Sequence, residues 1–415
     1  MGGIADYSGS LVLQLPLAAA ATATTQLTST PEVVVRTTSV DAGGGESEVR
    51  LRLADLIDDY AAVRARFGAR PERRWAGYIA GAITVLHLER NIEFTSGVRW
   101  LLDSAVPAGK GVSSSAAIEV AAMHALAGLL PPGAIRDARE LALLCQRVEN
   151  LVVGAPCGVM DQMTAAAGRK DRLLALLCQP AELQPDVDIP EDVEFIGIDS
   201  GIRHEVTGAD YASVRAAAFM GHRIIGAMRG TPVDYLANVG VTAWEARYRE
   251  VVPEHLRGAD FLREYGASAD AVTTIDPART YAVRQATAHP IYEHARVREF
   301  RTLLETRPLT EDALRAMGDL MYASHASYSA SGLGSSGTDG LVEMVRAAGP
   351  ARGLYGAKIT GGGSGGTVAV LARRGSRSAI DAIATEYARE TGRASTILSG
   401  SSNGAVAHGV QVSVR

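Results

Sequence analysis

The chain is 415 residues long, room for two or three domains or for one two-lobed body. Its 47% hydrophobic and 21% charged residues are an ordinary globular balance, and a net charge of −5 with no long basic run excludes nucleic acid as an expected partner. No continuous apolar stretch is long enough for a membrane span.

Residues 11–15 and 33–38 read as strands. The apolar run over residues 10–21 resembles the core of a secretory leader, but Asp6 is the only charge before it and the positive flank of a leader is missing, so no secretion is expected. Residues 41–48 read as a turn, and 49–54 alternate apolar and charged side chains as a half-buried strand does. Residues 75–88 have helical spacing, 98–105 read as a strand, 113–130 as a long Ala-rich helix and 139–153 as a second helix. Short apolar runs at 173–178 and 193–199 predict buried strands. Helices dominate from 211 to about 348, and 357–373 and 394–414 look strand-rich around a helix at 378–390. The order predicts an α+β fold with strands in both halves. Cys145, Cys157 and Cys178 match no zinc spacing, and an odd count makes a poor disulfide framework, which points to a reducing, cytoplasmic setting.

The strongest local signal follows Pro107. Gly109 and Gly111 let backbone N–H groups turn toward a ligand, and Ser113, Ser114 and Ser115 fall at the first turn of the next helix, where N–H groups lack partners and the dipole is positive. Such an end suits a polyphosphate, although serines there can equally cap the helix. It is not a P-loop, because Lys110 is followed by Gly111. Glu149 and Asp161 flank a Gly154-Ala-Pro-Cys-Gly158 turn; Asp161 lies among Val159, Met160 and Met163, where a carboxylate is expected to be paired or functional. Gly361, Gly363 and Gly366 satisfy G-x-G-x-x-G, but the strand pattern at 367–371 replaces the helix that a dinucleotide site requires. His204 and His325 lack partners at metal-ligand spacing and read as hydrogen-bonded histidines.

These segments resemble the GHMP kinases. The run from Pro107 through Val112 to Ala116 is similar to their second motif, and Lys358 to Gly366 to their third. The Gly154 to Gln162 segment resembles the one that carries the galactokinase aspartate, and Met321-Tyr-Ala-Ser324-His325 resembles another galactokinase segment. The resemblance implies a two-lobed α+β body, an N-terminal S5-like lobe over residues 1–200 and a C-terminal ferredoxin-like lobe over 201–415. It implies an ATP-dependent sugar kinase that uses Mg²⁺, with Asp161 as base, Ser115 and Glu149 on the metal, and Pro107, Gly109, Lys110, Gly111, Val112, Ser113, Ser114, Ser115, Ala116, Gly361, Gly362 and Gly363 around the nucleotide.

For the sugar, the resemblance points to Gly3, Ile4, Asp6, Tyr7, Gly158, Asp161 and Tyr211, with Tyr211 equally readable as a core tyrosine. Galactokinases open this motif with Pro-Gly-Arg, which here would fall before Met1, so the first lobe is expected to begin inside it. Their Glu-His pair is Gly3-Ile4 here, as in L-arabinokinase-like sequences, so a sugar without the C6 hydroxymethyl is expected. L-Arabinose therefore stands ahead of galactose, with a heptose or uronic acid, or a non-catalytic sugar sensor, as alternatives. Trp75 and Tyr78 read as core or as a border of the adenine. The expected partners are ATP and a monosaccharide, with no nucleic acid or membrane, in a monomer or dimer.

Overall fold

The computed structural model describes residues 1–38, 46–203 and 209–413. These form two compact units of interleaved segments, where the sequence reading placed one boundary at 200/201. The first unit comprises Met1–Gln14, Gly109–Val112 and Asp171–Gly400; the second comprises Leu15–Ala108, Ser113–Lys170 and Ser401–Arg415. The turn expected at 41–48 lies mostly outside the described residues.

In the second unit, the strands Ala21–Thr28, Gly97–Ser104, Glu32–Thr37 and Glu48–Arg52 form a sheet in that order, antiparallel except for the parallel pair Glu32–Thr37 and Gly97–Ser104. Trp100 on this sheet is buried, and its indole N–H donates to the Ala122 carbonyl at 3.2 Å, which ties the sheet to the helix Ser114–Ala127. The helix Gly77–Arg90 meets the segment Val148–Val153 closely: a Cβ on Gly81 would lie 2.8 Å from the Val148 side chain. The expected single helix at 139–153 is thus two pieces, an α-helix Ala138–Arg147 and a wider π turn at Val148–Val153. Single π turns inside helices recur at functional sites, and this one carries Glu149.

The first unit holds two larger sheets. One pairs Arg172–Leu177 with Leu11–Gln14 on one side and Glu182–Asp188 on the other, all antiparallel. The other has the antiparallel order Leu354–Ile359, Thr367–Arg373, Val193–Asp199, Ile397–Leu398. Its core side packs Ile198, Val368 and Val370 against Leu341, Val345 and Ile380 from the helices Ser336–Ala348 and Arg377–Thr391. Among the described residues past 394, a stretch expected to be strand-rich, only Ile397–Leu398 is a strand, and Ala405–His408 is a short helix. The polar Ser-Gly-Ser-Ser-Asn stretch starting at Ser399 offers no apolar alternation to extend a ladder. A second core gathers Ile4, Tyr7, Met220, Ile225, Trp244, Phe261 and Tyr328 around the helices Ala209–Arg229, Val283–Glu305 and Glu311–Ala330. No helix among the described residues is long and apolar enough to cross a membrane, and none of the three cysteines forms a disulfide.

Candidate functional site

In the first unit, the short segment Gly109–Val112 lies against the C-terminal glycine run. Thr360 Oγ1 donates to the Gly111 carbonyl at 3.0 Å, and Thr367 Oγ1 to the Lys110 carbonyl at 2.8 Å. A Cβ on Gly361 would stand 2.9 Å from the Gly111 carbonyl oxygen, and one on Gly366 2.7 Å from that of Lys110. Glycine is therefore required at both positions by backbone approach as well as by positive φ (61° and 81°). Gly362 and Gly363 continue the run, and Gly363 is packed against Leu333. The Lys110 ammonium pairs with the buried Asp199 at 2.7 Å. Asp199 ends a buried strand and opens the Asp199-Ser-Gly-Ile-Arg203 segment that resembles L-arabinokinase-like sequences, a resemblance that assigns it no role.

In the second unit, Pro107 and Ala108 close the stretch after strand Gly97–Ser104, and Ser113 opens the helix Ser114–Ala127. Ser113 takes a left-handed conformation (φ 64°) and its hydroxyl does not cap the helix, so the capping reading does not account for it. Ser114 and Ser115 are half-buried, and Ala116 is buried. The Ser115 hydroxyl hydrogen-bonds Glu149. Glu149 is 2% exposed, far from the solvated position usual for a helix glutamate. Burial first, and then the nearby Asp161 charge, push its carboxyl up to about 7, against hydrogen bonds from Ser115, Cys157 and Gln162.

Gln162 follows Asp161 on the helix Met160–Ala167, and its amide nitrogen donates to two carboxylates, Glu149 Oε2 at 2.7 Å and Glu119 Oε2 at 3.2 Å. Glu119 is 1% exposed, and its Oε1 has no hydrogen-bond partner. Burial, then the Glu149 charge, hold the Glu119 carboxyl well above its ordinary range. Sequence reasoning missed Glu119, although it stands four residues after Ser115 on the same helix face. The turn before Asp161 is shaped by Asn150, whose amide accepts from the Cys157 N–H at 2.8 Å and donates back to the Cys157 carbonyl at 3.3 Å. Gly158 in that turn is buried and Asp161 half-buried. Tyr78 is close enough for Glu149 and Glu119 to reinforce the effect of burial in raising its phenol.

A group of three or more His, Cys, Asp or Glu in metal-binding geometry is absent among the described residues. The donors here are instead one serine hydroxyl and one carboxylate in contact, with a second buried carboxylate holding an unbonded oxygen beside them. That set fits Mg²⁺, which takes one or two carboxylates and completes its shell with water and substrate phosphates.

The N-terminal residues lie in the first unit. Gly3, Ile4, Asp6 and Tyr7 are all buried, and Ile4 takes φ +49°, uncommon for a β-branched residue. The Tyr7 ring meets Tyr211 edge-on, centroids 6.1 Å apart. The Arg215 guanidinium stands 5.4 Å over Tyr7 and is held by Asp270 in a two-pronged pair at 2.9 Å. Burial opposes charge on Asp270, but the Arg215 hydrogen bonds outweigh it and hold the carboxyl below its usual range. The pair escaped the sequence reading because its members are 55 residues apart. His325 is a hydrogen-bonded histidine, 3.1 Å from Asp339; His204 lies outside the described residues.

Residues 77–169 match the N-terminal domain model of GHMP kinases, and residues 308–393 the C-terminal model. The chain is 42% identical to an L-arabinokinase of Arabidopsis thaliana over 98% of its own length, and spans 45% of that protein. It is 32% identical to a galactokinase of Chloroflexus aggregans over 78% of its own length and 72% of that protein. The solved Lactococcus lactis galactokinase complexed with galactose shares the fold, with a TM-score of 0.75 at 20% identity over 97% of this chain and 91% of that one. A mevalonate kinase structure gives a TM-score of 0.55 at 14% identity, covering 97% and 96% of the two chains. With both domain models in order, a galactokinase relative covered over most of its length and a shared α+β fold, the chain belongs to the GHMP kinase family.

Proposed function

We propose that the chain is an ATP-dependent sugar kinase that phosphorylates the anomeric hydroxyl of a monosaccharide, with L-arabinose as the preferred acceptor. The observation that carries the reading is the hydrogen bond between Ser115, at the start of the helix that follows the glycine loop, and the buried Glu149. Phosphoryl transfer asks a protein for positioning and charge neutralisation more than for covalent chemistry. Ser115 and Glu149 would hold Mg²⁺, which when bound neutralises charge on the transferred phosphoryl group. Gln162 orients the Glu149 carboxylate by its 2.7 Å hydrogen bond. Asp161, in the first turn of its helix, accepts the proton of the attacking hydroxyl. The backbone of Pro107, Gly109, Lys110, Gly111 and Val112, the helix start from Ser113 to Ala116, and Gly361, Gly362 and Gly363 bind the ATP phosphates. Gly3, Ile4, Asp6, Tyr7, Gly158 and Tyr211 meet the sugar. The lobes are read as residues 1–200 and 201–415, and the setting as cytoplasmic, with a monomer or dimer as the working form.

The identity to the L-arabinokinase favours L-arabinose, and the identity to galactokinases keeps D-galactose as the second reading. The test is a sugar panel with ATP, reading ADP release and the 1-phosphate. L-Arabinose should exceed galactose in kcat/KM by roughly 5- to 150-fold, the cost of leaving one polar group unpaired. Equal turnover of the two sugars refutes the C6 argument, and binding without any turnover indicates a sugar sensor.

A further inference from the structure

The Met321 to His325 segment is not used by the chemistry above, and neither is a buried polar cluster beside it. Glu293, on the helix Val283–Glu305, is fully buried. One of its oxygens accepts from the Gly2 N–H at 3.0 Å and from the Ser324 hydroxyl at 2.7 Å; the other faces Arg296 at 3.1 Å. Burial works against the Glu293 charge, but His289, Lys358, Arg296 and Ser324 together hold its carboxyl down to about 2.

One turn earlier on the same helix, His289 Nε2 lies 3.2 Å from the Gly3 carbonyl and Nδ1 2.7 Å from the Ser327 hydroxyl. Burial keeps this ring neutral, so Nε2 carries the proton toward Gly3 and Nδ1 accepts from Ser327. The Gly2 N–H and the Gly3 C=O are thus gripped by residues four apart on one helix face. Behind them, Tyr328 stacks edge-on to His289 at 5.3 Å and donates to the Gly361 carbonyl at 3.1 Å. The Lys358 ammonium stands 4.9 Å from the Tyr328 ring and donates to the Ile359 carbonyl at 2.7 Å.

We propose that Glu293 and His289, braced by Ser324, Ser327 and Tyr328, are positioning residues that clamp the Gly2–Gly3 backbone and so set the acceptor-binding segment that runs to Tyr7. A buried carboxylate is costly unless its bonds are made, and one bond of Glu293 ends on the Gly2 N–H of that segment while His289 holds the adjacent Gly3 carbonyl. The inference rests on the sugar-kinase reading for the word acceptor; the clamp itself is read independently of turnover.

The experiment compares the full chain with Ser324→Ala, His289→Leu and His289→Gln, measuring KM for L-arabinose and for ATP, kcat, and hydrogen exchange over residues 2–7. Ser324→Ala and His289→Leu should raise the sugar KM roughly 5- to 20-fold while the ATP KM stays within about twofold. Exchange over residues 2–7 should accelerate in both. His289→Gln, which restores an N–H near the place of Nε2, should recover most of the loss. Equal shifts in both KM values, or unchanged exchange in His289→Leu, overturn the proposal. Should His289→Leu not fold, Ser324→Ala decides, because it removes one hydroxyl and leaves the packing intact. If the wild type phosphorylates no sugar, the sugar-kinase reading falls, and the exchange data still support or overturn the clamp.

Discussion

The Tyr328 hydroxyl stands where the β-carbon of any side chain at Gly3 would begin, and it donates to the Gly361 carbonyl at 3.1 Å. Any side chain at residue 3 must therefore displace the Tyr328 hydroxyl. Gly3→Ala should destabilise the fold by about 1–3 kcal/mol through overpacking. Adding Tyr328→Phe should recover part of that, so the two substitutions will be non-additive in urea melts. Strict additivity would show that the two groups do not compete for one volume. For the same reason Gly3→Glu alone should lose folding stability before it gains any galactose activity.

Asp161→Asn should lower kcat by at least 100-fold and leave ATP binding nearly unchanged. Calorimetric ATP affinity beside single-turnover rates measures both. A variant that keeps more than about a tenth of the wild-type rate removes Asp161 from the role of base.

Glu149→Ala and Ser115→Ala should each raise the Mg²⁺ concentration needed for half-maximal rate. Because the two side chains touch, the double variant should cost less than the sum of the singles. Additive losses that ignore Mg²⁺ would place the metal elsewhere.

The acid limb of stability should carry the His289 signature. Burial first, against the neighbouring Glu293 charge, lowers its folded pKa from 6.5 to about 4. The neutral ring's contribution is fully present above pH 6.5, and it is lost as pH falls to about 4, because the unfolded state takes up the proton first. A difference of 6.5 − 4 units is worth up to about 3 kcal/mol. Urea melts at pH 7 and pH 4.5 should show a larger drop for the wild type than for His289→Gln, and equal drops would count against a neutral buried ring.

Thr367→Val removes the donor to the Lys110 carbonyl while keeping the side-chain shape. It should cost about 0.5–1.5 kcal/mol and raise the ATP KM several-fold with the sugar KM unchanged. An unchanged ATP KM would mean that Lys110 and Gly111 do not need this tether.

Much of the fold was legible where the signal was local. The buried strand at Val193–Asp199 was read to the residue, and the glycine runs announced their loops because only glycine tolerates the close backbone approach seen at Gly361 and Gly366. The strand Ala21–Thr28 was hidden in an Ala-Thr run whose polarity barely alternates, and it declared itself only by pairing with Gly97–Ser104. At the site, Ser115, Glu149 and Asp161 lay in motif-like segments. The partners of Glu119 and Asp199 and the Arg215–Asp270 pair could not be read, because each acquires meaning only through residues distant in sequence or by burial that no single-residue pattern encodes.

The interleaving of the units has a consequence for synthesis. Strand Leu11–Gln14 has no ladder partner until Arg172–Leu177 exists, and the Gly2 N–H waits for Glu293, 291 residues later. During translation at roughly 5–20 residues per second, these early residues stay unpaired for on the order of ten seconds or more. They carry apolar side chains such as Ile4, Val12 and Leu13 that end fully buried, so the nascent chain exposes a sticky segment until its late partners leave the ribosome. Chaperone demand in expression should accordingly fall when substitutions weaken the hydrophobicity of residues 11–13, and rise when synthesis of the helix Val283–Glu305 is slowed.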